Sequence, residues 1–112
     1  ATVGAERGRD EESTRLLAAV PPGARVICLD EHGKNWSTQQ LSIQLAGWMQ
    51  EGQSVSMLIG GADGMNRDCL QRAEKIWSLS ALTLPHPLVR VVVIEQLYRA
   101  WSMLNNLPYH RA

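Results

Sequence analysis

The sequence is poor in cysteine, carries no net charge and has no apolar run long enough to cross a bilayer. Each absence removes a class of protein. Two thiols, Cys28 and Cys69, set far apart in the chain, build neither a disulfide framework nor a zinc site. Eleven basic residues balance 11 acidic ones, so no global basic field points to a nucleic-acid partner. Three histidines, His32, His86 and His110, lack ligand spacing, and no metal is expected. The first residues do not combine a charged head with an apolar stretch. These exclusions leave a soluble protein of a reducing compartment, most simply a cytoplasm, with no membrane contact.

What is present suits one globular domain spanning residues 1–112. A chain of this length buries about two-thirds of its unfolded surface, and 45% hydrophobic with 20% charged residues is ordinary for such a fold. Residues 85–112 hold Arg90, Arg99 and Arg111 against Glu95 alone, with His86 and His110 in addition. That local excess is small. Three arginines are more often a solvated face than part of an RNA site.

Patterning along the chain alternates strands with helices. Residues 1–12 are polar and without periodicity, which predicts a frayed start. A short helix end follows over Ser13–Val20, stopped by Pro21-Pro22-Gly23. Arg25–Leu29 reads as a buried strand and 30–35 as a loop. Ser37 and Gln40 form a capping box for a helix carrying Leu41, Leu45, Trp48 and Met49 on one face, with Gly52 at its end. Ser54–Ile59 is a second strand, leading into Gly60-Gly61-Ala62-Asp63-Gly64. Asn66 caps a helix expected to run through Ile76 and Trp77, and Leu79–Leu84 is expected as the third strand.

Leu88–Leu104 is ambiguous. Val91-Val92-Val93-Ile94 favours a strand, whereas its length, the proline before it and the Glu95/Arg99 spacing favour a helix. The helix is chosen. Apolar residues cover nearly its whole circumference, so one face should pack on the sheet and another on a second subunit. An extended tail, Asn105–Ala112, closes the chain. The resulting fold class is α/β, a mostly parallel sheet with helices on both faces.

Ligands of open α/β sheets bind outside the carboxyl ends of the strands. The loops after Leu29, at 60–64 and at 85–87 would converge there. The glycine loop admits close backbone approach but matches neither the dinucleotide fingerprint nor the P-loop. His86 reads as a helix cap or a satisfied loop residue. Arg90 opposes the macrodipole at a helix start, a weak hint of a bound anion. Arg99, four residues after Glu95, is explained by an ordinary ion pair. Tyr98 and Trp101 serve core or interface alike, and Trp36, Trp48 and Trp77 read as packing anchors. In the tail, Tyr109, His110 and Arg111 can stack on a base, hydrogen-bond it and hold a phosphate, or stand in solvent.

Longer motifs carry more. Leu58-Ile59-Gly60-Gly61-Ala62-Asp63-Gly64, the run from Trp77 to Arg90, Glu95-Gln96-Leu97-Tyr98-Arg99-Ala100-Trp101 and Asn106-Leu107-Pro108-Tyr109-His110-Arg111 stand in this order. Together they closely resemble the bacterial large-subunit ribosomal RNA methyltransferase H family of the SPOUT superfamily, from about Leu16 to the end. The resemblance implies S-adenosylmethionine as cofactor and methylation of N3 of a pseudouridine in 23S rRNA on the assembled ribosome. It also implies a homodimer and a C-terminal trefoil knot, threaded by the segment from Pro85. Leu29, Gly60 and the run Leu79, Ser80, Ala81, Leu82, Thr83, Leu84 would contact the cofactor. Tyr109, His110 and Arg111 would complete the RNA site across the dimer. His110 becomes the expected base, with Arg90, Arg99 and Arg111 holding phosphate or the developing anion.

The sequence departs from that pattern twice. The family's N-terminal strand and helix have no counterpart here, which predicts an exposed sheet edge. Ala62-Asp63 stands where Pro-Glu is expected in many relatives. Two other functions compete with catalysis: an RNA- or ribosome-binding dimer of the same fold without turnover, and an unrelated nucleotide-binding α/β domain.

Overall fold

The computed structural model describes residues 3–60 and 64–110, with side chains from Arg7 to Tyr109. Helix α1 spans Val3–Ala18. It begins well before Ser13, where the sequence pattern placed it, and the polar start is helical from Val3. Its middle is tied to the rest of the molecule rather than frayed. The buried Ser13 hydroxyl accepts the Asn66 N–H at 2.9 Å, and Asp10 Oδ1 accepts from Asn66 Nδ2 at 3.1 Å.

Strand β1 covers Arg25–Asn35. The expected loop at 30–35 is thus largely strand, interrupted by an irregularity between Leu29 and Lys34. Pairing resumes because Lys34 and Asn35 reach Trp77 and Ser78, and Asn35 Nδ2 donates to the Ser78 carbonyl at 2.8 Å. Helix α2, Thr38–Glu51, has the predicted capping box of Ser37 and Gln40 and ends at Gly52 with φ 71°. Strand β2 is Val55–Ile59.

Helix α3, Arg67–Arg72, is capped by the Asn66 side chain and stops at Ala73. Ile76 and Trp77 therefore lie outside it, contrary to the helical pattern. They belong to strand β3, Lys75–Ser78. The chain leaves the helix because the Glu74 N–H bonds to the Val26 carbonyl at 2.8 Å and starts a parallel pairing with β1. Leu79–Leu84, expected as the strand, is the loop beyond it. Ser80 bends that loop, accepting the Leu82 N–H on its hydroxyl at 3.0 Å and the Ser78 hydroxyl on its carbonyl at 2.9 Å. Helix α4 runs His86–Leu104, and a 3-10 turn at Pro108–His110 replaces the expected extended tail.

The sheet is parallel with order β2-β1-β3. Alternation along β1 sorts its side chains between two layers. Ile27 and Leu29 join Leu41 and Trp48 of α2 and Val93 and Ala100 of α4. Val26 and Cys28 join Leu58, Met65 and Cys69, with Leu16 and Leu17 of α1 packed against them. Both faces are covered, as the alternating pattern predicts. Trp36 stacks on Trp77 with centroids 5.2 Å apart and leans on Trp48 at 6.3 Å, so the three tryptophans are packing anchors.

The amino end of the sheet is closed by charge. Arg25 pairs with Glu51 and Glu74 and donates from Nε to Gln53 at 3.0 Å. The carboxyl end is closed by loops, which is where side chains able to recognise a ligand can gather.

Candidate functional site

Three strand exits share one rim. Leu29 pairs with Ile59 on one side and Trp77 on the other, so the ends of β2 and β3 lie level with the irregularity that follows Leu29 in β1. Gly60 follows β2. A Cβ on it would stand 2.9 Å from Met65 Cγ and 3.0 Å from the Gly64 carbonyl carbon, so a side chain here would have to displace its neighbours. Residues 61–63 of the glycine loop lie outside the described residues. After β3 come Leu79 and Ser80, half-buried, and Ala81, Leu82 and Thr83, exposed. Leu82 is 71% exposed, an apolar side chain held open on an uncharged loop.

Side chains stitch these exits together. Thr83 donates to Glu31 at 3.0 Å, linking the β3 exit to the irregular end of β1. His86 Nδ1 lies 2.5 Å from the Gly60 carbonyl oxygen, linking the start of α4 to the β2 exit. The predicted cofactor residues Leu29, Gly60 and Leu79–Leu84 thus border one rim. Leu29 itself is buried in the core beneath it. The loop 79–84 carries no charged side chain and so offers apolar and backbone contacts at this rim.

A second cluster lies on α4. Glu95 Oε2 accepts Arg99 Nη2 at 2.7 Å, Arg99 Nε at 3.1 Å and the Tyr109 hydroxyl at 3.1 Å. The Arg99 guanidinium lies over the Tyr109 ring, 5.2 Å from its centroid. Tyr109 meets Tyr98 edge-on at 4.6 Å, and Tyr98 stacks near Trp101 at 5.8 Å. On the other carboxylate oxygen, Gln96 donates at 2.9 Å and in turn accepts Thr38 of α2 at 2.7 Å. Bonds from Arg99 and Tyr109 hold the Glu95 carboxyl below its usual range. The same carboxylate pushes the Tyr109 phenol upward.

The tail is therefore folded back onto α4 through Tyr109, although its side chains up to Tyr109 remain exposed. Arg99 and Tyr109 meet in this cluster, while Arg90 stands exposed in the first turn of α4. The His110 side chain and Arg111 lie outside the described residues. Sequence reasoning passed over Glu95 as half of an ordinary ion pair and His86 as a cap. The i,i+4 spacing and the flanking prolines were visible, but the partners Tyr109 and Gly60 are distant in sequence. One exposed stripe remains on α4, formed by Leu88, Val91, Ile94 and Trp101.

A further groove at the sheet holds nothing reactive. It has a volume of about 230 Å³ and lies between α2, α4 and the amino half of β2, lined by Leu45, Trp48, Met49, Gln53, Val55, Met57 and Leu97. Among the described residues no cluster of His, Cys, Asp or Glu could hold a metal ion, and no helix is long and apolar enough to cross a membrane.

Comparison with known proteins decides the family. The profile described as "Predicted SPOUT methyltransferase" matches residues 2–110. The chain is 58% identical over 104 residues to the ribosomal RNA large subunit methyltransferase H of Nitrosococcus oceani, covering 93% of this chain and 66% of that protein. It is 55% identical over 101 residues to that of Methylococcus capsulatus, covering 90% and 65%. To that of Polynucleobacter asymbioticus it is 54% identical, covering 90% and 69%. The chain belongs to the ribosomal RNA large subunit methyltransferase H family of SPOUT methyltransferases. It spans just under two-thirds of the length of the first two of these relatives. The family explains why the motifs at 58–64, 77–90, 95–101 and 106–111 occur together. They supply the strand exits, the α4 cluster and the tail.

Proposed function

We propose that the chain methylates N3 of a pseudouridine in 23S rRNA on the assembled ribosome, with S-adenosylmethionine as donor and a second copy of itself as partner. The observation that carries this reading is the shared rim of Gly60 and Leu79–Leu84 at the carboxyl end of a parallel sheet in a chain related to rRNA methyltransferases. When bound, S-adenosylmethionine supplies an electrophilic methyl group for in-line displacement by the target nitrogen. The chain's contribution is then chiefly alignment.

Gly60 lets the cofactor approach the backbone, and Leu79, Ser80, Ala81, Leu82, Thr83 and Leu84 border it. The imide N3–H must lose its proton. His110 is the proposed base, with Arg90 and Arg111 holding phosphate or the developing anion. Arg99, bonded to Glu95 and lying over Tyr109, acts with them to aim the tail residues at RNA. The exposed stripe on α4 is the proposed dimer surface. The trefoil knot threaded from Pro85 is part of the same proposal and rests on the family relationship.

Two measurements test the reading. Calorimetric titration should give saturable S-adenosylmethionine binding with no comparable ATP binding. Labelled methyl groups should then enter 23S rRNA of ribosomes that lack the modification. A folded chain preferring ATP overturns the cofactor. Binding without methyl transfer would favour an RNA-binding dimer without turnover.

A further inference from the structure

His86 donates from Nδ1 to the Gly60 carbonyl oxygen at 2.5 Å, across 26 residues of sequence. A carbonyl oxygen only accepts, so the proton resides on Nδ1. The obvious alternative role for this histidine is closed. The N-cap of α4 is Pro85, and no side chain caps it, so His86 bonds out of its own helix to the exit of another strand.

Both partners are held where they meet. Gly60 is packed so closely against Gly64 and Met65 that a Cβ would have to displace them. His86 is half-buried and stands between Pro85 and Pro87, whose rings fix φ on either side of it. On the opposite flank, the β3 exit is fastened to β1 through Asn35 to the Ser78 carbonyl at 2.8 Å and Thr83 to Glu31 at 3.0 Å. The loop 79–85 is thus moored to β1 at one side. The His86 bond moors its far end to β2.

We infer that His86 is a positioning residue that sets the separation between Gly60 and Leu79–Leu84, and so the affinity for S-adenosylmethionine. The inference rests on the cofactor reading above. It adds a residue that bonds to Gly60, follows Leu84 by two positions in the chain, and ties the two segments together through one hydrogen bond.

The test compares wild type with His86→Ala, His86→Phe and His86→Asn in the full chain. Phe keeps a ring without the donor, and Asn keeps an N–H near the place of Nδ1 without the ring. S-adenosylmethionine affinity is read by calorimetry, and amide exchange is followed over residues 56–60 and 78–88. Loss of the donor should weaken binding about three- to tenfold, the scale of one hydrogen bond, and speed exchange in both segments. Asn should restore both, and Phe should not. Wild-type affinity and exchange in the Phe variant overturn the inference, as does an Asn variant no better than Phe, which would assign the effect to packing. If Ala does not fold, the Phe and Asn pair decides. A folded wild type that binds no S-adenosylmethionine overturns the cofactor reading and this inference with it. Failure of His86 alone is recognised because the wild type then binds.

Discussion

Tyr109 donates its phenolic proton to Glu95, a residue 14 positions earlier, at 3.1 Å. Through that bond the chain's last turn lies along α4, with Arg99 bonded to the same carboxylate oxygen and covering the tyrosine ring. The tail thus has a defined direction up to Tyr109.

Removing the bond should therefore loosen substrate alignment and leave the cofactor site intact. Tyr109→Phe and Glu95→Ala are expected to raise KM for ribosomes about three- to tenfold, the worth of one or two hydrogen bonds. S-adenosylmethionine affinity should not change. Methyl incorporation at varied ribosome concentration, beside calorimetry, checks the split. An unchanged KM in both variants would detach the cluster from RNA recognition.

The same pair defines a pH window for tail docking. The Glu95 carboxyl is held low by Arg99 first and by Tyr109 as well, so its contribution is complete above the usual glutamate value of about 4.3 and fades as pH falls through the lower folded value. The Tyr109 phenol is pushed up by Glu95, so its contribution is complete below the usual tyrosine value of about 10 and fades as pH rises through the higher folded value. Tyrosinate absorbance should show one of the two tyrosines titrating late, and Glu95→Ala should bring it back. Two tyrosines titrating together at the ordinary value would contradict the docked tail.

The stripe on α4 predicts self-association. Val91 and Ile94 are 64% and 67% exposed on a helix whose opposite face is core. Light scattering should find a dimer of the 12.4 kDa chain, and Ile94→Glu should yield monomer, because a dimer would bury the new carboxylate unpaired. A wild-type monomer at high concentration would remove the dimer from the proposal.

Two glycines should respond oppositely to alanine. At Gly33 a Cβ would collide with the Ile76 backbone oxygen and lie 2.6 Å from its carbonyl carbon and 2.7 Å from its Cγ2. Gly33→Ala should lose about 1–3 kcal/mol in urea unfolding, the scale of overpacking. Gly47, inside α2, has nothing within 4 Å of such a Cβ. Gly47→Ala should gain about 0.5–1 kcal/mol from helix propensity. Equal effects at the two sites would contradict the close crossing of β1 and β3.

The buried thiols should be silent. Burial, then Cys69 and Asp30, push the Cys28 thiol up to about 12. With almost no thiolate near pH 8, neither Cys28 nor Cys69 should react with a disulfide reagent in the native chain, and both should react in denaturant. Rapid native labelling would show that α1 lifts from the sheet.

The sequence alone determined whatever depends on neighbours within one or two turns. The Ser37/Gln40 capping box, the Gly52 stop, the Asn66 cap and the Glu95–Arg99 pair all follow from local spacing, and so does the alternation that sends Val26 and Ile27 to opposite layers. Long motifs in a fixed order gave the family, because several such runs rarely coincide. Tertiary structure decided the rest. Ile76 and Trp77 fit a helical period as well as a strand, and only pairing of 75–78 with β1 resolved them, turning Leu79–Leu84 from strand into the loop beyond β3. The polar residues of α1 show no periodicity, yet Ser13 and Asp10 hold that helix through Asn66. His86–Gly60 and Tyr109–Glu95 each join groups distant in sequence. Hydrogen bonds of that kind depend on distance in space, which spacing along a chain does not encode.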